Sequence, residues 1–331
     1  MDQATSTADS LDQVVEIFGG PLEVLPREQG CALLAVVNEQ LASSAHQPHD
    51  EKGHPGGLVL IPETLTPIII GDLHARVDNL LRILCEGSLL KDLEEGTACL
   101  VFLGDAVHPD EPELLDFMES SVLMMDLVFR LMLRYPNQVF YVLGNHDSFS
   151  EEVDKGGVLQ GLLWEKHLVE TRGEEYRDQM EKFYQLSPVL ASAPDFLACH
   201  AGPPREKVSC QMMINIAEHP RIIKDLLWNR MSTPVDPMGY SRSDVKRFRK
   251  SLKLDKEVHF IVAHSAHAGG LTAWENIGNI PNHHLVYSAL DEQVGIFTRV
   301  DGEMVPQVYA TESLLVLVNA RAGSGNSNGA K

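Results

Sequence analysis

Five apolar runs in this 331-residue chain each stop at a residue able to bind a metal ion. They read TPIIIGDLH, with Asp72 and His74; CLVFLGDAV, with Asp105; VFYVLGNHD, with Asn145 and His146; DFLACHAG, with His200; and HFIVAHSAH, with His264 and His267. One Gly-Asp after a hydrophobic run is also an ordinary turn. Five such endings, in the order Asp-x-His, Asp, Asn-His, His, His, are hard to obtain by chance. Ligands of α/β sheets sit beyond the carboxyl ends of the strands. The pattern therefore gathers oxygen and imidazole donors into one cleft, as a two-metal hydrolytic centre requires.

The donor types suggest a division of labour. Asp72 and His74 are two apart at the end of an extended segment, so their side chains leave on one face and can share a cation. Asp105 can bridge two cations and leave a bridging hydroxide as nucleophile. Asn145 adds a neutral oxygen that keeps the centre attractive to phosphate, and His200 and His264 complete the set of ligands around the second metal. His146, directly after Asn145, points the other way and is free to protonate a leaving group. Asp105 and His146 are thus the expected catalytic pair.

The elements that must position these residues read as strand, ligand, helix, repeated from residue 66 onward. Residues 76–90 and 111–134 carry apolar positions at helical spacing, as do residues 28–42, the polar segment 150–186 and two segments within 220–254. Short alternating runs follow residue 283, with VDGE as a hairpin turn. The first 20 residues are polar and read as mobile at the start, and the loop 43–57 holds His46, His49 and His54, which read as solvated. The expected division is a helical and loop extension over 1–57, a catalytic domain over 58–318 and a flexible tail over 319–331.

Composition narrows the class. A hydrophobic content of 44% supports a substantial core, and no apolar run approaches the roughly 18 residues that span a bilayer. The N-terminus lacks the basic and apolar regions of a signal peptide. Five cysteines without a C-x-x-C pair suggest reduced thiols in a cytoplasmic protein. The formal net charge of -20 disfavours nucleic-acid and membrane partners.

The blocks GDLH, GDAV, LGNHD, CHAGPP and VAHS resemble the signature blocks of the calcineurin-like metallophosphoesterases. Within that superfamily the chain is most similar to the serine/threonine phosphoprotein phosphatases, through FYQLSPVLASAPDFLACHAGPP, DLLWNR and LVYSALDEQVG. The resemblance covers about residues 66–305. It implies a four-layer α/β/β/α sandwich with mixed sheets and a two-metal centre of manganese, iron or zinc. One metal would be held by Asp72, His74 and Asp105, the other by Asp105, Asn145, His200 and His264, with His146 as the acid.

Departures from the family pattern cluster in GDAVHPDE. His108 stands where an aspartate should orient the acid histidine, and Pro109 where an arginine should grip phosphate. Asp147 replaces the usual glutamate after Asn-His, and His267 lies outside the usual set, at most a supporting residue. Phosphate contact then falls to Arg242, which precedes a helix at family-like spacing, or to Arg230 or Arg76. The expected function is hydrolysis of phosphate monoesters through a metal-bound hydroxide, with phosphorylated proteins as the leading substrates and small phosphoesters also accepted. Two alternatives stay open: a dinucleoside polyphosphate or other nucleotide hydrolase, and a phosphatase-like binding module with weak catalysis.

Overall fold

The computed structural model describes residues 6–233, 237–267 and 269–325. Two helices come first, α1 (Thr7–Phe18) and α2 (Arg27–Ala42), then a short strand β1 (Leu58–Leu60). Strands and helices alternate next: β2 (Thr66–Ile70), α3 (Val77–Leu84), α4 (Leu89–Glu94), β3 (Ala98–Phe102), α5 (Glu119–Arg134) and β4 (Val139–Tyr141). A ribbon of β5 (Asp154–Lys155) and β6 (Val158–Leu159) leads into α6 (Gln160–Arg172) and α7 (Glu174–Leu186). The chain continues through β7 (Leu190–Ser192), β8 (Phe196–Cys199), α8 (Cys210–Ile214), α9 (Pro220–Trp228), α10 (Arg242–Ser251) and β9 (His259–Val262). It closes with β10 (Ala273–Trp274), β11 (His283–Val286), β12 (Gln293–Val300), β13 (Glu303–Ala310) and α11 (Leu314–Gly325).

The strands form two mixed sheets, ordered β13-β12-β2-β3-β4 and β1-β7-β8-β9-β11-β10. Side chains alternate across each strand, and the apolar residues follow that period on both faces. Leu100 and Phe102 of β3 face helices α1 to α7 and α11, while Cys99 and Val101 face the other sheet. In β9, Phe260 and Val262 face helices α8 to α10, while Ile261 joins Val101 between the sheets. Strands apolar on both faces are what two-sided burial demands. The result is the expected four-layer α/β/β/α sandwich.

The N-terminal helices belong to the first helical layer. Leu11, Val14 and Phe18 give α1 one apolar face, buried in the same cluster as Leu33, Leu34 and Val37 of α2. Ser6 caps α1 by accepting the Asp9 N–H. Residues 7–18, read from the sequence as a polar and mobile start, are therefore ordered by three apolar positions in a polar setting. Gly30 in α2 lets the buried Arg172 pass, since a Cβ there would lie 1.8 Å from its guanidinium. Arg172 in turn makes a bidentate pair with Asp126 of α5 at 3.0 and 2.5 Å, both residues being buried.

Two further segments differ from expectation. The helix expected over 111–134 begins only at Glu119, because Pro109 and Pro112 hold the preceding residues in turns. Residues 319–325, the start of the expected tail, continue α11, where Asn319 accepts the Leu22 N–H at 2.7 Å. The remainder of that tail, 326–331, lies outside the described residues. The VDGE turn is as expected: Asp301 and Gly302 both have positive φ, joining β12 to β13.

Candidate metal centre

The centre lies where parallel strands β2, β3 and β4 of one sheet and β8 and β9 of the other run out. Close backbone approach requires glycine here. Gly104 has φ +84, and a Cβ on it would meet the Gly144 nitrogen at 2.0 Å. The turns that follow bend sharply: His74, Asp105, His108 and His264 all adopt positive φ. Non-glycine residues rarely do so, and such conformations collect at functional sites. Loop-to-loop hydrogen bonds hold them, since the Asp105 carbonyl accepts the N–H groups of both Leu73 and His74, at 3.0 and 2.9 Å.

Two buried clusters share one carboxylate. Asp72, His74 and Asp105 converge in one, and Asp105, His200 and His264 in the other, with donor atoms of each set within 4.8 Å of one another. His200 Nδ1 donates to the Leu103 carbonyl at 2.7 Å. Its Nε2 lone pair therefore faces Asp105 Oδ2 at 3.3 Å, Asn145 Oδ1 at 2.9 Å and His264 Nδ1 at 3.0 Å. His74 behaves alike: Nδ1 donates to the His108 carbonyl at 2.9 Å, leaving Nε2 3.6 Å from Asp72 Oδ2. Such outward hydrogen bonds orient imidazoles as metal ligands.

Acceptors facing acceptors in a buried space need positive charge among them. Burial opposes charge on His200, yet Asp105 holds its imidazole up at about 9, and Asp72 holds His74 up against the same penalty. Asp105 itself, despite burial, is held well below the usual carboxylate range by His200 and His146. Bound cations would supply this charge without protons. The six residues Asp72, His74, Asp105, Asn145, His200 and His264 thus fit a metal pair, and the structure brings all six together.

His146 sits beside them with its backbone N–H donating to Asp105 Oδ1 at 2.7 Å and its ring edge-on to His74. His108 lies directly beside His146. Its ring Nδ1 lies 3.1 Å from His146 Nδ1, its N–H donates to Ser121 Oγ, and its Nε2 is buried without a partner. Burial pushes His146 down to about 4 and, together with His146, pushes His108 well below its ordinary value. Asp147 holds the floor. Its Oδ2 accepts the Gly144 and Asp105 N–H groups, and its Oδ1 accepts the Tyr141 hydroxyl at 2.8 Å. Burial and then Asp105 raise Asp147 to about 7.

The arginine candidates separate clearly. Arg242 donates to the Asn279 carbonyl and lines a groove beside α10, away from the ligands. Arg76 lies close to the centre, yet Asp110, Glu111 and Asp291 all pair with it. Arg230 lines a cavity of about 300 Å³ with Trp228, whose ring meets His264 edge-on. His264 is lowered to about 3 by burial, by His200 and by the Arg230 charge. Among the described residues Arg230 makes no ion pair, so its guanidinium is available. His267 turns away, packing edge-on against Trp274 at 3.9 Å between ring centroids.

One participant escaped the sequence reading. Asp110 accepts the Tyr287 hydroxyl at 2.9 Å and pairs with both Arg76 and Lys155. The signal available was a carboxylate in the divergent GDAVHPDE block, two residues after His108.

Comparison with known proteins agrees with this geometry. The family model of the calcineurin-like phosphoesterases matches residues 65–287. The serine/threonine-protein phosphatase 6 catalytic subunit of Caenorhabditis elegans is 27% identical over 124 residues, covering 38% of this chain and 30% of that protein. The match thus spans less than a third of that relative's length. A solved protein serine/threonine phosphatase of Saccharomyces cerevisiae, with similarity to human phosphatase PP5, superimposes with a TM-score of 0.63 at 14% identity. It covers 87% of this chain and 91% of the other, a likeness of fold.

Proposed function

The chain belongs to the calcineurin-like phosphoesterase family, and on that premise we propose that it hydrolyses phosphate monoesters, with Ser/Thr phosphoproteins as the favoured substrates. The observation that carries this reading is the buried Asp105 carboxylate shared by two donor clusters. Asp72, His74 and Asp105 would hold one ion and Asp105, Asn145, His200 and His264 the other; manganese, iron and zinc all suit such mixed nitrogen and oxygen donors. When bound, the ions would neutralise phosphate oxygens and make a water molecule acidic enough to attack phosphorus.

The chain's own residues do the rest. Asp105 fixes the His146 backbone through the 2.7 Å bond, which sets where the imidazole meets the leaving group. His146 then donates a ring proton to the departing oxygen, with His108 holding its orientation through Nδ1. Arg230 is the cation placed to draw the phosphate toward His264. Tyr287, Asp110 and Arg76 form a network beside His74.

Phosphoproteins are favoured over dinucleoside polyphosphates by the groove that opens from His74 and Pro109. It has a volume of about 530 Å³ and is edged by Asp78, Glu111, Asp291 and Glu312 around apolar Leu114 and Phe117. Its guanidinium, Arg76, is already neutralised by three carboxylates. Further phosphates would be repelled there, whereas peptide side chains fit. The test is a substrate panel on purified protein: kcat/KM for a phosphoserine peptide, an aryl phosphate and a dinucleoside tetraphosphate. Peptide turnover well above the dinucleotide supports the reading, and the reverse order overturns it.

A further inference from the structure

The metal ligands lie beyond the C-terminal ends of β9 and β11, and the opposite ends of the same strands carry a second feature. Residues 242–256 hold seven of the chain's 27 lysines and arginines against two carboxylates, in a protein of net charge -20. Part of this stretch walls a groove of about 510 Å³ between α10 and the turn at Ile280, Pro281 and Asn282 that opens β11. Arg242, Lys246, Arg249 and Lys250 line it, and among the described residues none of the four pairs with a carboxylate. The carboxylate in the lining, Glu257, is paired with Lys256 at 3.3 Å. Val245, Leu254, Ile280 and Pro281 make its floor apolar.

Arg249 is the independent sign that this groove expects an anion. Only 6% exposed, it directs its guanidinium at the carbonyls of Pro281 and Asn282, at 3.3 and 2.5 Å, and leaves Nε buried without a partner. The guanidinium hydrogen-bonds to neutral carbonyls alone; the largely exposed Glu257 acts on it only through its charge, and desolvation still lowers its pKa. A carboxylate entering the groove would supply what is missing.

We propose that this groove docks a short acidic segment of a partner protein, its carboxylates on the Lys246, Lys250 and Arg249 rim and an apolar side chain on the Val245–Ile280 floor. Charge selects this occupant. An extended nucleic acid would run beyond the groove onto a surface whose overall charge repels phosphates. A second copy of the chain would bring its own charge of -20 against this one. A short acidic segment avoids both penalties, and the apolar floor rewards side chains that nucleic acids lack. A site of this volume matches the size of ordinary ligand clefts. Its place at the pole opposite the metal centre leaves the active site open while a partner is bound.

The test uses the full chain and a short fluorescein-labelled peptide in which glutamates alternate with leucines, followed by fluorescence anisotropy. Lys246 and Lys250 are both exposed, so the double variant K246E/K250E should fold normally. Binding of the peptide, weakened about tenfold or more in that variant, with aryl phosphate turnover unchanged, is the expected result. A matching polyglutamate without leucine should bind more weakly. The proposal is overturned by absence of peptide binding, by equal binding to the variant, or by tighter binding of a single-stranded oligonucleotide. Self-association that K246E/K250E abolishes, without peptide binding, would assign the groove to a second copy and also overturn it.

Discussion

His108 Nδ1 lies 3.1 Å from His146 Nδ1, so the two imidazoles meet through like nitrogens, one of which must carry the proton and the other accept it. A carboxylate partner would accept only, and would hold His146 by charge. An imidazole partner instead holds it by geometry, and His108 is itself fixed by Ser121 and wedged edge-on against Trp164.

This relationship sets a first prediction. His108→Ala should lower kcat for an alkyl phosphate about tenfold or more while metal content stays near wild type. His146→Asn should cost more, within the roughly 10²–10⁴-fold typical of general acid help. Activated aryl phosphates need little protonation and should suffer less from both changes. Equal losses on the two substrate types would remove the pair from acid catalysis.

A second prediction separates the arginines. Arg230→Ala should raise KM for phosphomonoesters and weaken inhibition by free phosphate, because a charge-assisted contact is worth about 1.5–3 kcal/mol. Arg242→Ala should leave both unchanged, since its guanidinium is spent on the Asn279 carbonyl far from the ligands. Steady-state kinetics with phosphate as inhibitor read both; the opposite pattern would restore Arg242 as the clamp.

The buried pair of Asp126 and Arg172 gives a stability prediction. Asp126 also accepts the Leu25 N–H at 2.9 Å, joining α5, α6 and the segment before α2. Asp126→Ala leaves Arg172 charged and uncompensated, which typically costs about 3–5 kcal/mol. Denaturant unfolding should show that loss without a change in the catalytic ligands. A loss under about 1 kcal/mol would mean that water or a neighbour satisfies Arg172.

Acid should destabilise the fold through His283. Its Nδ1 faces the Phe260 carbonyl and its Nε2 the Tyr240 hydroxyl, each at 3.0 Å, and burial pushes it down to about 3. Below pH about 6.5 the unfolded chain takes up a proton that the folded site refuses. Stability therefore falls from about pH 6.5 toward 3 and is untouched above, by about 2 kcal/mol at pH 5. His283→Gln should flatten that slope in unfolding curves taken between pH 5 and 7; an unchanged slope would place the acid sensitivity elsewhere.

The convergence of Asp72, His74, Asp105, Asn145, His200 and His264 was legible because each strand is an unbroken apolar run and each sharp exit carries a chemically distinctive residue. Leu100, Val101 and Phe102 need burial on both faces, and Gly104 permits the sharp exit to Asp105 that the structure shows at φ +84. Choosing between Arg230 and Arg242 required the path of the loop that joins α9 to α10, which local sequence does not encode. His267 has the spacing of a neighbour to His264, yet Trp274, seven residues on, captures its ring. Helix α1 was obscured because only Leu11, Val14 and Phe18 mark its buried face, and its stability comes from α5 and α11 rather than from propensity.

In the proposed centre, Asp105 joins two metal ions. Metal analysis of purified wild type and Asp105→Asn, beside aryl phosphate turnover, decides whether it does. Two ions per wild-type chain, at most one in the variant and a collapse of turnover are predicted. A variant that keeps two ions and full turnover would mean that Asp105 does not bridge them.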